Sequence, residues 1–189
     1  IRLEDPSRPV VSGMHGLQCQ RDAGWTIADQ AELTDILTTH PYPIFTPHSG
    51  VDRVNTFRNV FHAAAESRLY ADGGDRPCFP EEAGNLGPMM SGPETAAAYL
   101  RNMLWNSYAH DCRGLLWWCA FDQDHLKFPP YDWVAMEREL GLLDHDDQPK
   151  LTMKTLAAFR KITEEVGVLP HFRRDAVTIL PNGGDIWGT

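Results

Sequence analysis

The strongest constraint on this chain is a fourfold alternation. Four apolar, β-prone runs, at 9–13, 35–39, 77–81 and 114–120, are each followed by a stretch of helical character. The helical stretches are expected at about 26–33, 54–70, 91–109 and 151–166, with a further short helix at about 132–140. Within them Val54, Phe57, Val60, Phe61, Ala64 and Leu69 recur near helical spacing, and Leu156, Phe159 and Ile162 are expected to face inward. Ser91 followed by Glu94 reads as a capping box, and Gly73-Gly74 and Gly167 as helix stops. Strand, helix, strand, helix is the pattern of an α/β fold, a parallel sheet with crossover helices. The runs are almost wholly apolar, as expected of strands covered on both faces.

In such folds function gathers at the carboxyl ends of the strands. Here those ends carry His15, then His40 with Tyr42, then Glu81-Glu82, then Trp118. Pro41 and Pro43 stop the second run and stiffen the loop after it. An acid at the end of a buried strand is costly unless it has a partner or a task. In a regular strand Glu81 faces away from Glu82, and Glu81 is therefore given a structural or salt-bridge role. The same alternation sends Trp117 and Trp118 to opposite faces, so that one of the two belongs to the core.

Composition narrows the partners. The 189 residues carry a formal net charge of -9, which argues against nucleic acid and anionic membrane, since both call for basic surface. No apolar run approaches the roughly 20 residues of a membrane span. Uncharged substrates such as sugars fit, and six tryptophans supply flat apolar faces for them. Cys19, Cys78, Cys112 and Cys119 have no metal-finger spacing. Unpaired thiols in apolar runs lean toward a cytoplasmic, reducing compartment, with secretion left open.

Glu82 is the candidate nucleophile of a retaining glycosidase, which needs two carboxylates about 5 Å apart. Tyr42 can donate to that carboxylate without adding a charge. His40 can meet substrate hydroxyls or orient its neighbours, and the Trp118 face can carry a pyranose ring. Each has a plainer reading: a satisfied strand-end histidine, a tyrosine packed beside prolines, a core tryptophan. A metal site built from His15, His40 and Glu81 or Glu82 is a third reading, but the spacing holds no compact ligand motif. No cofactor and no metal are expected. In the loop after Trp118, Asp122, Gln123 and His125 are read as solvated, with sugar hydroxyls as their alternative partners.

These residues carry a resemblance. Glu82-Ala83-Gly84 resembles the Glu-x-Gly after the seventh strand of clan A (β/α)8-barrel glycoside hydrolases of the cellulase and mannanase type. His40-Pro41-Tyr42 resembles the His-x-Tyr at the end of their sixth strand, and Leu115-Leu116-Trp117-Trp118 their eighth. The run Leu140-Gly141-Leu142-Leu143-Asp144, with Gln148-Pro149-Lys150, is similar to the entry into their last helix, while 9–13 matches the fifth strand in character only. The resemblance covers about 1–169. It implies parallel βα units corresponding to strands 5–8 of a TIM barrel, with Glu82 as nucleophile and His40, Tyr42 and Trp118 as substrate-binding residues. It also implies retaining hydrolysis of β-glycosidic bonds in an oligo- or polysaccharide.

That clan places its acid/base in an Asn-Glu dipeptide, and this sequence has none. A full barrel takes about 250 residues. The expectation is therefore a C-terminal half-barrel at 1–170, nearly inactive alone, with the N-terminal half of the barrel as partner. Residues 171–189 are expected to be a linker with the possible first strand of a following domain. The alternative is a non-catalytic carbohydrate-binding or structural module of barrel origin.

Overall fold

The computed structural model describes residues 1–11, 13, 26–42, 57–84, 91–133, 135–171 and 175–176. His15, Cys19, the 43–56 loop with the first part of the second expected helix, and nearly all of the expected linker lie outside them.

Four helices surround a parallel pairing. Helix α1 (Ile27–Leu33) opens on a capping box that the sequence reading did not single out. Asp29 N donates to Thr26 Oγ1 at 3.2 Å, and Thr26 N donates back to Asp29 Oδ2 at 2.8 Å. Strand β1 (Leu37–Thr39) follows, then helix α2 (Phe57–Gly74), strand β2 (Cys78–Pro80), helix α3 (Pro93–Ala109) and helix α4 (Leu151–Val166). β1 and β2 are parallel, in the register Leu37↔Cys78, Thr38↔Phe79, Thr39↔Pro80. Single parallel bridges extend the pairing outward, Val11↔Ile36 on one side and Ala83↔Trp117 on the other. Four chain segments thus lie side by side in sequence order. Among the described residues the middle two have strand length and the outer two pair through single bridges. The runs expected at 35–39 and 77–81 thus form three-residue strands and the one at 114–120 a bridge, while the one at 9–13, part of which lies outside the described residues, forms a bridge at Val11.

Other expectations are corrected locally. α3 starts on Gly92 with Pro93 in its first turn and no side-chain cap bond, so Ser91 and Glu94 form no capping box. Proline's fixed φ suits the first helical position, and it moves the start one residue past the serine. The helix expected at 132–140 is a single 3-10 turn, Ala135–Glu137. Its flanks are drawn instead into pairing with the chain after Trp118, through Gln123 N to Arg138 O at 2.7 Å and Cys119 N to Leu140 O at 3.2 Å. α4 has the predicted extent and ends at Gly167, whose φ of 76° is glycine territory. Leu156 and Phe159 pack against α3, but Ile162 is exposed.

The core has two parts. Ile27, Ala31, Leu37, Tyr70, Ala71 and Cys78 close α1 and α2 onto the strands. Ala63, Ala83, Tyr99, Leu100, Met103 and Leu104 fill the space under α3, with Leu115, Trp117, Leu156 and Phe159 at its margin. Phe61, one of the apolar positions near helical spacing, is exposed. The inward face of α2 carries polar groups as well as small ones: Asn59, His62, Glu66 and Ser67 are all buried. His62 Nε2 lies 3.2 Å from Glu66 Oε2, and Ser67 Oγ lies 3.2 Å from Thr39 Oγ1. Paired in this way His62, Glu66 and Ser67 tolerate burial.

Burial pushes the thiols of Cys78 and Cys112 up, with Cys112 reaching about 11 from an ordinary 9.0. An unfolded chain loses these protons near pH 9, whereas the folded chain holds them longer. The stability they contribute is complete below pH 9 and falls as pH rises toward 11. Urea midpoints measured between pH 8 and 11 are expected to decline. Cys112→Ala is expected to flatten that decline by roughly 2 kcal/mol at its upper end, and an unchanged slope would remove Cys112 as its cause.

Candidate active site

The polar strand ends converge where the chain changes partner. Glu81 N still donates to Thr39 O, at 3.0 Å, as a continuation of the β1 pairing. Two residues later Ala83 N donates to Leu116 O at 3.0 Å, and Trp118 N donates to Ala83 O at 2.8 Å. Glu82 sits at this switch. The chain has left regular strand geometry at Pro80, so alternation no longer separates the two acids as expected. Glu81 Oε2 and Glu82 Oε2 both approach the His40 ring, at 3.6 Å from Nε2 and 3.4 Å from Nδ1 respectively.

Glu82 is held at its other oxygen too. The Tyr42 hydroxyl donates to Glu82 Oε1 at 3.2 Å. Tyr42 is buried, and Tyr42 N closes a tight turn onto His40 O at 2.8 Å. Burial, and then the Glu82 carboxylate that it faces, push the phenol far above its ordinary range; Glu137, from the turn before Leu140, adds to this. The phenol therefore stays a neutral donor at every working pH. With its side chain 29% exposed, Glu82 remains open to a ligand.

Glu81 has one more partner: the hydroxyl of the fully buried Thr38 donates to Glu81 Oε2 at 2.7 Å. The structure thus brings His40, Tyr42 and Glu82 together and adds Glu81 and Thr38 to them. Trp118 adjoins the group through its backbone, and its side chain is exposed. Trp117 turns inward, donating from Nε1 to Leu140 O at 3.0 Å. Gly84 allows this crowding. A Cβ there would lie 2.9 Å from the Trp118 carbonyl oxygen and 3.4 Å from Tyr42 Cε1. Gly84→Ala is expected to cost about 1–3 kcal/mol in urea unfolding, because the nearest atom is backbone and cannot swing away.

The loop after Trp118 is tied down. Asp122, read as a solvated loop residue with sugar as its alternative partner, is buried. It accepts from Lys150 Nζ at 2.7 and 3.0 Å and from Gly141 N at 2.8 Å. Lys150 Nζ also reaches Glu139 O at 3.0 Å. Gln123 is held by its backbone bond to Arg138, while His125 is exposed. Among the described residues no group of three or more His, Cys, Asp or Glu has the arrangement to hold a metal ion, and His15 lies outside them.

Fold and site together define an α/β protein of parallel strand–helix units with a carboxylate cluster at the carboxyl end of its paired strands. The sequence matches no protein-family profile and no curated protein. Solved structures do share the fold. A GH5_18 protein from Streptomyces cattleya in complex with GlcNAc is similar at a TM-score of 0.69 and 21% identity, over 83% of this chain and 37% of that one. A variant of that GH5_18 protein in complex with Manβ1-4GlcNAc reaches 0.76 at 22% identity, over 91% and 41%. The exo-β-1,4-mannosidase Op5Man5 from Opitutaceae bacterium strain TAV5 reaches 0.64 at 22% identity, over 87% and 30%. The chain spans about two fifths or less of the length of these structures.

Proposed function

We propose that this chain is the nucleophile-bearing half of a retaining β-glycosidase barrel, with its four segments as strands 5–8. In this reading Glu82 attacks the anomeric carbon, and the acid/base comes from outside residues 1–189. The observation that carries it is the setting of Glu82: a part-exposed carboxylate at a strand end, one oxygen bonded by a neutral phenol and the other facing His40. Tyr42 orients the carboxylate, His40 meets substrate hydroxyls, and Trp118 offers its face to the sugar. A β-mannoside is the first substrate to try, because the neighbouring structures include an exo-β-1,4-mannosidase and a complex with Manβ1-4GlcNAc.

In the first half-reaction the Glu82 carboxylate forms a bond to the anomeric carbon as the glycosidic oxygen leaves with a proton from the acid. Water then displaces the carboxylate, and the former acid takes the water's proton. A 2-deoxy-2-fluoro-β-mannosyl fluoride should arrest the full-length protein at the covalent stage. The peptide that contains Glu82 should gain the mass of one fluorosugar, and a label on another residue would overturn the assignment. Tyr42→Phe removes one bond to a charged group, about 1.5–3 kcal/mol. It is expected to lower kcat by roughly 10- to 100-fold in steady-state kinetics.

The exposed face of Trp118 supports a second reading, a carbohydrate-binding or structural module without catalysis. It expects calorimetric sugar binding to survive Glu82→Gln and to vanish in Trp118→Ala.

A further inference from the structure

We infer that Glu81 is a positioning residue for His40, and through it for the carboxylate that faces the other ring nitrogen. The inference rests on the reading of Glu82 as nucleophile and goes beyond it, because the chemistry proposed there needs only one acid in this dipeptide. Adjacent carboxylates repel each other, and a strand end open to solvent would let Glu81 turn away. Glu81 instead turns inward. Its Oε2 takes the hydroxyl of Thr38 at 2.7 Å and stands 3.6 Å from His40 Nε2. Thr38 is fully buried in the centre of β1 and gives that oxygen a fixed anchor. His40 then lies between two carboxylates, with Nδ1 at 3.4 Å from Glu82 Oε2.

The chain of contacts runs Thr38, Glu81, His40, Glu82, Tyr42. It fixes the ring plane of His40 from the side away from Glu82, so that Nδ1 and not a ring carbon meets the nucleophile. The distances from the ring to the two carboxylates are longer than those of tight hydrogen bonds. Contacts of this kind commonly shorten once substrate closes the site. Glu81 itself touches no reacting atom.

Glu81→Gln keeps the size of the side chain and an acceptor for Thr38, but removes the charge that faces the ring. Two measurements test the role. The first is the imidazole nitrogen NMR spectrum of His40 in the full-length protein, in which Glu81→Gln is expected to shift both ring signals. Unchanged signals would overturn the inference, whatever the chemistry of Glu82. The second is steady-state kinetics of the full-length protein on an aryl β-glycoside. Glu81→Gln is expected to lower kcat about tenfold with KM within twofold, and Thr38→Val to act in the same direction. Combining the two should cost little more than either alone, because they act as one unit. Shifted NMR signals with unchanged kcat would reduce Glu81 to a structural acid and end the proposal. A fully active Glu82→Ala variant would instead strike the nucleophile reading.

Discussion

Replacing Glu82 with alanine in the full-length protein is expected to lower kcat on an aryl β-glycoside by roughly 10⁴-fold or more, the scale seen when a covalent nucleophile is removed. Its neighbour provides the internal control. Glu81 lies one residue away, shares His40, and is expected to matter only about tenfold. The ratio between the two variants therefore reports which carboxylate bonds to the sugar. Azide sharpens the result. With Glu82 gone a small anion can occupy the space that the carboxylate leaves and attack the same carbon. The product is then a glycosyl azide of inverted configuration, and part of the turnover returns. Glu82→Ala with wild-type turnover, or a variant that azide leaves inert while Glu81→Ala responds, would move the nucleophile elsewhere. Circular dichroism is expected to show both variants folded, since neither side chain is part of the core.

The second large effect concerns stability. Lys150→Met is expected to destabilise the chain by about 3–5 kcal/mol, the range for leaving one member of a buried pair uncompensated. Asp122 has a nearly buried side chain and keeps only the Gly141 N–H once the ammonium is gone. The midpoint of thermal unfolding should fall by roughly 10 °C. The consequences should spread along the loop, because Lys150 also binds the Glu139 carbonyl and stands at the start of α4. Gly141 is part of the same knot: a Cβ there would stand 2.3 Å from Asp122 N and 2.4 Å from Leu143 O. Asp122→Asn with Lys150→Met removes both charges and is expected to recover part of the loss. A double variant less stable than Lys150→Met alone would show that something other than the orphaned carboxylate sets the cost.

The helices were legible wherever their stops and starts are local. α4 runs as predicted because Pro149 and Gly167 bracket it, and α3 differs only in its first residue. The inward face of α2 was not legible, because apolar spacing cannot register a face on which His62, Glu66 and Ser67 are buried as satisfied partners. The 3-10 turn at Ala135–Glu137 escaped for a similar reason: backbone bonds to residues more than a dozen positions earlier decide it. At the site, the meeting of His40, Tyr42 and Glu82 could be anticipated from their places at strand ends. The turn of Glu81 toward His40 could not. Alternation holds only within a strand, and β2 stops at Pro80.

The link between Thr38 and Glu81 and the link between Tyr42 and Glu82 both bridge the same two neighbouring strands, whose pairing is three residues long. A slide of β2 along β1 by one residue, about 3.3 Å, would break every polar contact of the cluster together. Damage to the packing of α2 on this pair should therefore reduce the fraction of molecules that are competent, while each competent molecule keeps its affinity for substrate. Titration of active sites with a mechanism-based label would count that fraction directly, and a graded loss of affinity across a set of α2 variants would show that the cluster yields piece by piece.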